Sequence, residues 1–338
     1  MKRRRIALAL TFIAVLTYSL YASRIGNENA PNYADRQIVS SDPETTVEIP
    51  SGASGSAIAR ILFQAGVTKS SLAYFRVAVS DPRSQKVAAG GHRLTLKISA
   101  AQALEQLLDA SRIPNLIKVF EGEWKSEIED SLWDFGFTRA QISQAFRDLV
   151  LPQGFTSAEG LLFPALYSFP SGVEAGQILA AMIERFQRES VGRELLTANG
   201  KYSSVQLLTI ASIVQAEGDI KDFGKVSRVI RNRLDIGMPL QMDSTVHFIK
   251  RVRGQIFLST SSTLITSAYN TYKRYGLPPT PIGNPGALAI AAALHPQEGD
   301  WLYFITVAPG DTRFTRSNDQ FLAWKSLYAK NRKAGAFK

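Results

Sequence analysis

An acid that closes an apolar segment is the residue of this chain that points most directly to chemistry. Apolar residues recur before it at helical spacing, at Leu207, Ile210, Ala211 and Val214. One more turn of this series reaches Glu217, so the sequence predicts a helix that ends at Gly218 and buries the carboxyl. Burial and the negative end of the helix dipole favour the protonated form, which can donate a proton to a glycosidic oxygen. The alternative is a helix-end glutamate paired with Arg228 or Lys221.

The composition excludes several classes of site. The 338 residues, 45% of them hydrophobic, suit two or three domains with cores of their own. The chain has no cysteine and only three scattered histidines, so we expect no disulfide, no metal site and no cofactor. The net charge is +10, but four of the basic residues lie within the first five positions and no basic stripe alternates with aromatic residues. A nucleic-acid partner is therefore not predicted.

The first 45 residues predict a membrane anchor followed by a spacer. A basic tail at residues 1–5 precedes an uncharged, largely apolar run at residues 6–22, which is long enough for a transmembrane helix. The basic residues before this run predict an amino terminus in the cytoplasm. A cleaved signal peptide is the alternative, although Tyr18 and Tyr21 make a poor cleavage site. Residues 23–45 are polar and predict a linker.

A five-position pattern then occurs twice, with the second copy seventy positions after the first. The first copy is Gly52, Ile58, Leu62, Gly66 and Thr68, and the second is Gly122, Ile128, Leu132, Gly136 and Thr138. Each copy follows a short strand and predicts a turn, a helix and a capping glycine. The pattern resembles the small glycan-binding LysM fold, which predicts a LysM-like domain at 46–112 and a second LysM-like strand-helix motif at 117–146. The first copy can bind glycan or serve only as a spacer.

Beyond Glu217 the chain is rich in prolines, glycines and polar side chains. Prolines and glycines fix the backbone of loops, while neutral amides, hydroxyls and flat aromatic rings suit a sugar ligand. The candidate substrate-binding residues are Gln241, Asp243, Thr245, Tyr269, Asn270, Tyr272 and Asn284. Among the neutral donors that can stabilise a developing positive charge on a sugar, Gln241 and Asn270 rank first. Each of these donors can instead brace its own loop.

Several ordered segments resemble one known family. They are Ser212-Ile213-Val214-Gln215-Ala216-Glu217, Asn232-Arg233-Leu234, Gly237-Met238-Pro239-Leu240-Gln241, Tyr269-Asn270-Thr271-Tyr272, Gly276-Leu277-Pro278-Pro279 and Asn284-Pro285-Gly286. Together with the upstream loop Glu159-Gly160, they resemble the endolytic murein transglycosylase family, the YceG-like membrane-anchored lyases of peptidoglycan. The resemblance extends over nearly the whole chain. The chain departs from the family pattern at Gln215, where relatives usually carry another acid, and at His247-Phe248.

The resemblance implies an α+β protein with an N-terminal transmembrane helix, small LysM-like α/β modules and a mixed α+β catalytic domain at 113–338. It implies that Glu217 is catalytic and that the enzyme cleaves the bond between N-acetylmuramic acid and N-acetylglucosamine, leaving 1,6-anhydro ends and terminating nascent strands. It further implies a single-pass protein of the cytoplasmic membrane with its catalytic domain outside. The implied partners are peptidoglycan glycan strands, penicillin-binding proteins and other cell-wall synthesis proteins.

Other functions stay open on the residues alone. If Asp243 lies opposite Glu217, it can activate water and make the enzyme a muramidase-type hydrolase, whereas it can also simply cap the following turn. A lytic transglycosylase needs only the one acid, because the muramyl C6 hydroxyl attacks in place of water. A non-catalytic glycan-binding scaffold for cell-wall synthases would not depend on Glu217. A serine hydrolase using His247 or His295 lacks the expected G-x-S-x-G turn.

Overall fold

The computed structural model describes residues 30–337, apart from residues 51, 115, 170–171, 254–258 and 260. The chain forms two compact units. The first unit runs to Leu116 and includes Tyr167–Gly172, and the second contains Ile117–Leu166 and Val173–Lys338. The apolar run at residues 6–22 lies outside the described residues. In the part of the chain that is described, no helix has both the length and the apolar character to cross a bilayer.

The first unit is a two-stranded sheet with helices. Strand β1 (Glu44–Ile49) is antiparallel to β2 (Gly90–Thr95), with Glu44 opposite Thr95 and Ile49 opposite Gly90. Its helices are α1 (Gly55–Gln64), α2 (Ser71–Ser80) and α3 (Ala100–Leu108). Each of these helices begins at a serine whose hydroxyl accepts a bond from the first turn, which satisfies one of the free N–H groups there. Leu62, Tyr74, Leu94 and Leu104 form the centre of its core.

The described part of the predicted linker is bonded to this unit. The Ser70 hydroxyl donates to the carbonyl oxygen of Pro31 at 2.8 Å. The Ala100 N–H donates to Oδ1 of Asn32 at 3.0 Å, and the Gln102 amide donates to the carbonyl oxygen of Arg36 at 2.6 Å. Polar residues that suit a free spacer by composition are therefore held here by the starts of α2 and α3.

The second unit is mainly helical. Its helices are α4 (Lys125–Phe135), α5 (Arg139–Asp148), α6 (Ala175–Arg188), α7 (Ser190–Leu196), α8 (Ser204–Glu217), α9 (Phe223–Asp235), α10 (Asp243–Lys250), α11 (Ala287–Leu294) and α12 (Asn318–Lys333). Short strands β3 (Leu116–Lys118) and β4 (Leu166–Ser168) fall at the sequence boundaries of the units. Strand β5 (Tyr303–Ala308) is antiparallel to β6 (Asp311–Thr315). The prediction of a mixed α+β fold is confirmed.

Helix α8 lies at the centre of the second unit. Ser203 and Gln206 form a capping box at its start, and α9, α10 and α11 pack against it. Every residue from Leu207 to Val214 is buried, including the polar Thr209 and Ser212. Burial therefore extends beyond the face marked by the apolar series, because neighbouring helices cover the other sides as well. Glu217 lies at the end of this core helix and is half-buried.

The seventy-residue pattern corresponds to similar local structure in the two units. Its apolar members, Ile58, Leu62, Ile128 and Leu132, are at most 6% exposed. Gly66 and Gly136 each follow the end of a helix with φ values of +74° and +116°. Glycine reaches this left-handed region without strain. This explains why each copy of the pattern has a glycine just after its helix. The LysM-like assignment and glycan binding by the first copy stay predictions.

Candidate active site

Helix α8 ends at Glu217 because of close packing at the next residue. Gly218 has an extended backbone, with φ −125° and ψ 155°, rather than the left-handed turn of a typical glycine cap. A Cβ atom at Gly218 would lie 3.2 Å from Val226 and 3.4 Å from Phe223. Glycine therefore allows the start of α9 to pack directly against the end of α8.

The Glu217 carboxylate is bound by the first turn of α10. Its Oε1 atom accepts the backbone N–H of Ser244 at 2.9 Å. Arg228 and Lys221 were the predicted ion-pair partners, but both bind carbonyl oxygens elsewhere. Arg228 donates to the carbonyl oxygen of Gln297 at 2.7 Å, and Lys221 donates to that of Gly310 at 2.6 Å. The ion-pair alternative for Glu217 is therefore wrong.

The surroundings of Glu217 favour its protonated form. Burial raises the pKa of its carboxyl, and the negative charge of Asp243 raises that pKa further. Hydrogen bonds from Ser244 and the positive charge of Arg233 act in the opposite direction. A carboxyl with a raised pKa can act as a general acid and then as a base near neutral pH.

Asp243 and Tyr272 form a pair beside Glu217. Asp243 is the first residue of α10, and its Oδ1 atom accepts a short hydrogen bond from the Tyr272 hydroxyl. Burial raises the pKa of Tyr272 well above its ordinary value, and the bond to Asp243 and the charges of Asp243 and Glu217 add to this rise. Tyr272 therefore remains a neutral donor that fixes the carboxylate of Asp243.

Arg233 also belongs to this group, since its positive charge acts on Glu217. It is 6% exposed. Its guanidinium donates to the carbonyl oxygens of Leu302 at 2.6 Å and Leu240 at 2.5 Å. The helical series of Val226, Val229 and Ile230 reaches Arg233 one turn later, so the spacing itself contained the signal for burial. Arg233 thus joins α9 to the loop before α10 and brings a positive charge to Glu217.

The two neutral donors ranked first have different environments. Gln241 is exposed, with φ +49°, and its backbone N–H donates to the carbonyl oxygen of Thr271 at 3.1 Å. Asn270 is fully buried. Its amide donates to the carbonyl oxygens of Ile265 and Thr263 at 2.7 and 3.0 Å, and its Oδ1 accepts the N–H of Tyr272 at 3.0 Å. Asn270 therefore holds the loop that carries Tyr272.

The other predicted substrate-binding residues also make internal bonds. Thr245 is fully buried and donates to the carbonyl oxygen of Met242 at 2.7 Å. Asn284 is fully buried, donates to the carbonyl oxygen of Glu123 at 2.8 Å and accepts the N–H of Leu162 at 3.0 Å. The hydroxyl of Tyr269 lies 2.8 Å from that of Thr280. The structure therefore groups Asp243 and Tyr272 with Glu217, while Thr245 and Asn284 brace loops.

No set of three or more potential ligands for a metal ion occurs among the described residues. Gln215, the residue where relatives often have an acid, accepts the N–H of Gly286 at 3.0 Å through its Oε1 atom. It therefore ties α8 to the start of α11. The site is built around a single half-buried acid, with a second carboxylate held by a tyrosine.

Comparisons with known proteins identify the family of this chain. The YceG-like family matches residues 47–326. The endolytic murein transglycosylase of Bacillus subtilis (strain 168) is 31% identical over 325 residues, which cover 87% of this chain and 89% of the relative. The endolytic murein transglycosylase of Streptococcus pneumoniae serotype 2 (strain D39) is 28% identical, and the match covers 77% of this chain and 54% of that protein.

A solved structure gives the same result for the fold. The crystal structure of a YceG-like protein from Listeria monocytogenes is similar with a TM-score of 0.57 and 26% identity. The match covers 83% of this chain and 98% of the crystallised chain. The family match includes the helix that ends at Glu217, the start of α10 at Asp243 and the loop that carries Tyr272. This chain belongs to the YceG-like family.

Proposed function

We propose that this chain is an endolytic lytic transglycosylase of peptidoglycan. The substrate is a glycan strand, cleaved between N-acetylmuramic acid and N-acetylglucosamine to leave a 1,6-anhydro end. The observation that carries the proposal is Glu217, a half-buried acid whose pKa is raised by burial and by Asp243. The curated relative that is 31% identical bears the name of this activity.

The reaction needs one group that changes between acid and base. Protonated Glu217 donates its proton to the glycosidic oxygen, and the bond from the muramyl C1 to that oxygen breaks with its electron pair on the oxygen. The Glu217 carboxylate then accepts the proton of the muramyl C6 hydroxyl. The C6 oxygen bonds to C1 and closes the anhydro ring, and Glu217 is protonated again. Water is neither consumed nor released in this reaction.

The neighbours of Glu217 set its orientation and its affinity for the proton. The Ser244 N–H fixes one carboxylate oxygen at 2.9 Å, and the charge of Asp243 favours the protonated acid. Asp243 accepts the Tyr272 hydroxyl, which holds it in place and disfavours a role as a base for water. The exposed side chain of Gln241 is a candidate donor to the sugar.

The same proposal includes the position of the enzyme in the cell. Residues 1–5 remain in the cytoplasm, residues 6–22 anchor the chain in the cytoplasmic membrane, and the rest acts outside. The LysM-like domain at 46–112 and the catalytic domain at 113–338 then meet nascent glycan strands. Penicillin-binding proteins and other cell-wall synthesis proteins are the proposed partners. The basic tail followed by an apolar run supports this arrangement.

Mass spectrometry of reaction products tests the activity. The full chain, in mild detergent, is incubated with uncross-linked glycan strands as wild type, as Glu217→Gln and as Glu298→Gln, which changes an exposed acid. We expect anhydro-muramyl ends from the wild type and the Glu298 variant. We expect a loss of at least about a hundredfold in Glu217→Gln, since general acid–base catalysis contributes roughly 10²–10⁴-fold.

Two other outcomes would contradict the proposal. Reducing ends in place of anhydro ends would indicate a hydrolase, and their loss in Asp243→Asn would identify Asp243 as the base that activates water. Glycan binding without cleavage by the wild type would indicate a scaffold.

A further inference from the structure

The second unit contains an open pocket of about 330 Å³ whose lining does not include Glu217. This volume is at the lower end of the range of pockets that hold small ligands. The lining combines aromatic, charged and hydroxyl side chains. Its main members are Trp124, Lys125, Glu159, Phe248, Ser267 and Tyr269.

Three rings form one wall of this pocket. The centroids of Trp124 and Phe248 lie 6.0 Å apart in an edge-on arrangement, and those of Phe248 and Tyr269 lie 5.2 Å apart. The Arg253 guanidinium lies 4.0 Å from the Trp124 ring, and the Tyr269 hydroxyl is bonded to Thr280. The wall is therefore held in place before any ligand binds. Aromatic faces of this kind pack against apolar C–H groups and lose little entropy on binding.

A buried carboxylate adds the polar part of the pocket. Glu159 is 6% exposed, and its two oxygens share the N–H of Lys125 at 3.0 and 3.2 Å. A carboxylate has about four acceptor positions, and the Lys125 N–H does not occupy all of them. Glu159 can therefore accept further hydrogen bonds from a ligand. The Lys125 ammonium is paired with Glu129 instead. Burial raises the pKa of Glu159 to about 7, although the N–H of Lys125 and the charges of Lys125 and Arg253 act in the opposite direction.

The pocket extends along α10 and α8 from the surroundings of Glu217. Phe248 lies four residues after Ser244 on α10, or about 6 Å along the helix from the residue that binds Glu217. A Cβ atom at Gly122, two residues before Trp124, would lie 3.5 Å from Gln215, and one at Gly160, beside Glu159, would lie 3.1 Å from Leu208. Leu208 precedes Glu217 by nine residues, about 13 Å of helix rise, so the pocket residues approach α8 both near its end and well before it.

We propose that this pocket is a distal saccharide subsite that holds one N-acetylated pyranose of the glycan strand. The sugar ring packs on the wall of Trp124, Phe248 and Tyr269, and Glu159 accepts hydrogen bonds from its hydroxyl or amide groups. The proposal rests on the proposed function, because the same strand passes Glu217. A strand long enough to reach both places is bound more tightly than a short one, so the pocket selects for strand length.

Kinetics on strand fragments of graded length test the subsite in the full chain. Glu159→Gln keeps the shape of the side chain and an acceptor for the Lys125 N–H, and Phe248→Leu removes the middle ring. Asp130→Asn is the control, since it changes an exposed acid on the same helix as Lys125. We expect either pocket variant to lower kcat/KM about tenfold on long strands, through KM, and to leave short fragments unchanged.

Binding provides a readout that does not depend on cleavage. A tetramer of N-acetylglucosamine is titrated into the full chain carrying Glu217→Gln, with saturation-transfer NMR to detect contact with aromatic protons. We expect Phe248→Leu and Glu159→Gln to weaken binding about tenfold, and Asp130→Asn to leave it unchanged. The subsite is overturned if the tetramer binds equally well to all variants, or if short and long fragments lose activity equally. If the wild type cleaves no strand, the proposed function fails. The titration still tests the subsite, because it measures binding of the tetramer and not cleavage.

Discussion

At the scale of single residues, the proton affinity of Glu217 is set by two neighbours of opposite charge. Asp243 raises the pKa of Glu217 and Arg233 lowers it, in addition to the larger effect of burial. Arg233 is held by carbonyl oxygens and Asp243 by the Tyr272 hydroxyl, so neither charge can move away from the acid. The fraction of Glu217 that is protonated therefore depends on residues that need not touch substrate.

We predict that Asp243→Asn narrows the pH range of activity from the alkaline side. Removing the negative charge lowers the pKa of Glu217, so the acid loses its proton at lower pH. The alkaline limb of the profile of kcat/KM against pH then moves to lower pH, while anhydro products persist. Asp300→Asn, which changes an acid whose side chain is 69% exposed, provides the control. An unchanged limb would show that Asp243 has no electrostatic effect on the reaction.

The sequence predicted part of this site. The helical series that reaches Glu217 was enough to predict an acid with a raised pKa at the end of a buried helix. Its catalytic role stays a prediction. The bond from Ser244 was not predicted, because it depends on how α10 packs beside the end of α8. The charge of Arg233 was not predicted either, although the helical spacing of α9 indicates that this residue is buried. Side chains chosen by polarity alone, such as Asn270, proved to be fully bonded within their loops.

At the scale of elements, loops are locked to α8 by close backbone contacts. The loop that begins at Glu159 passes next to Pro281 at Gly160, which has φ +90°. Ser212 of α8 accepts the N–H of Ile282 at 3.0 Å, on the same segment as Pro281. Two loops and a helix thus meet where a side chain at residue 160 would not fit.

We predict that Gly160→Ala destabilises the protein by about 2–5 kcal/mol. The new Cβ atom would lie 2.7 Å from the Pro281 ring and would impose left-handed strain, and these two effects cost roughly 1–3 and 1–2 kcal/mol. The matched variant is Gly237→Ala, which has φ +66° and no atom within 4 Å of the new Cβ. It should lose only about 1–2 kcal/mol. Equal losses in chemical denaturation would show that the contact with Pro281 is easily relieved.

The order of elements was easier to predict than their environment. Short strands before a glycine turn and helices that end at Gly66 and Gly136 follow from local spacing. Burial of α8 on all sides did not follow, because it depends on helices α9, α10 and α11 that pack against it. Local pattern identifies a helix, but its neighbours decide how much of it is covered.

At the scale of the whole molecule, buried acids give the folded state a characteristic response to pH. Burial raises the pKa of Glu123, Glu159 and Glu217, all in the second unit. Between the ordinary pKa and the raised one, the folded state binds more protons than the unfolded state, so stability falls as pH rises. For Glu159 the size of the shift is known, because its pKa moves from 4.5 to about 7.

We predict that Glu159→Gln removes part of this pH dependence. The wild type loses up to roughly 3 kcal/mol of stability between pH 4.5 and about 7 through Glu159, and the variant does not. The variant should therefore be the more stable protein at pH 8, as measured by thermal unfolding across this range. Asp311→Asn is the control. The pKa of Asp311 is lowered from 3.8, so that variant changes the slope of stability against pH only at the acidic end. Parallel curves for wild type and Glu159→Gln would contradict the prediction.

The burial of α8 also has a consequence for local opening. Amides in a helix that is covered on every side exchange their hydrogens only when a large part of the core opens, whereas α12 has no buried residue and can open by itself. The backbone that supports Glu217 is thus expected to be among the last segments to take up deuterium. An enzyme of this kind can lose the order of its peripheral helix and still keep its acid in place.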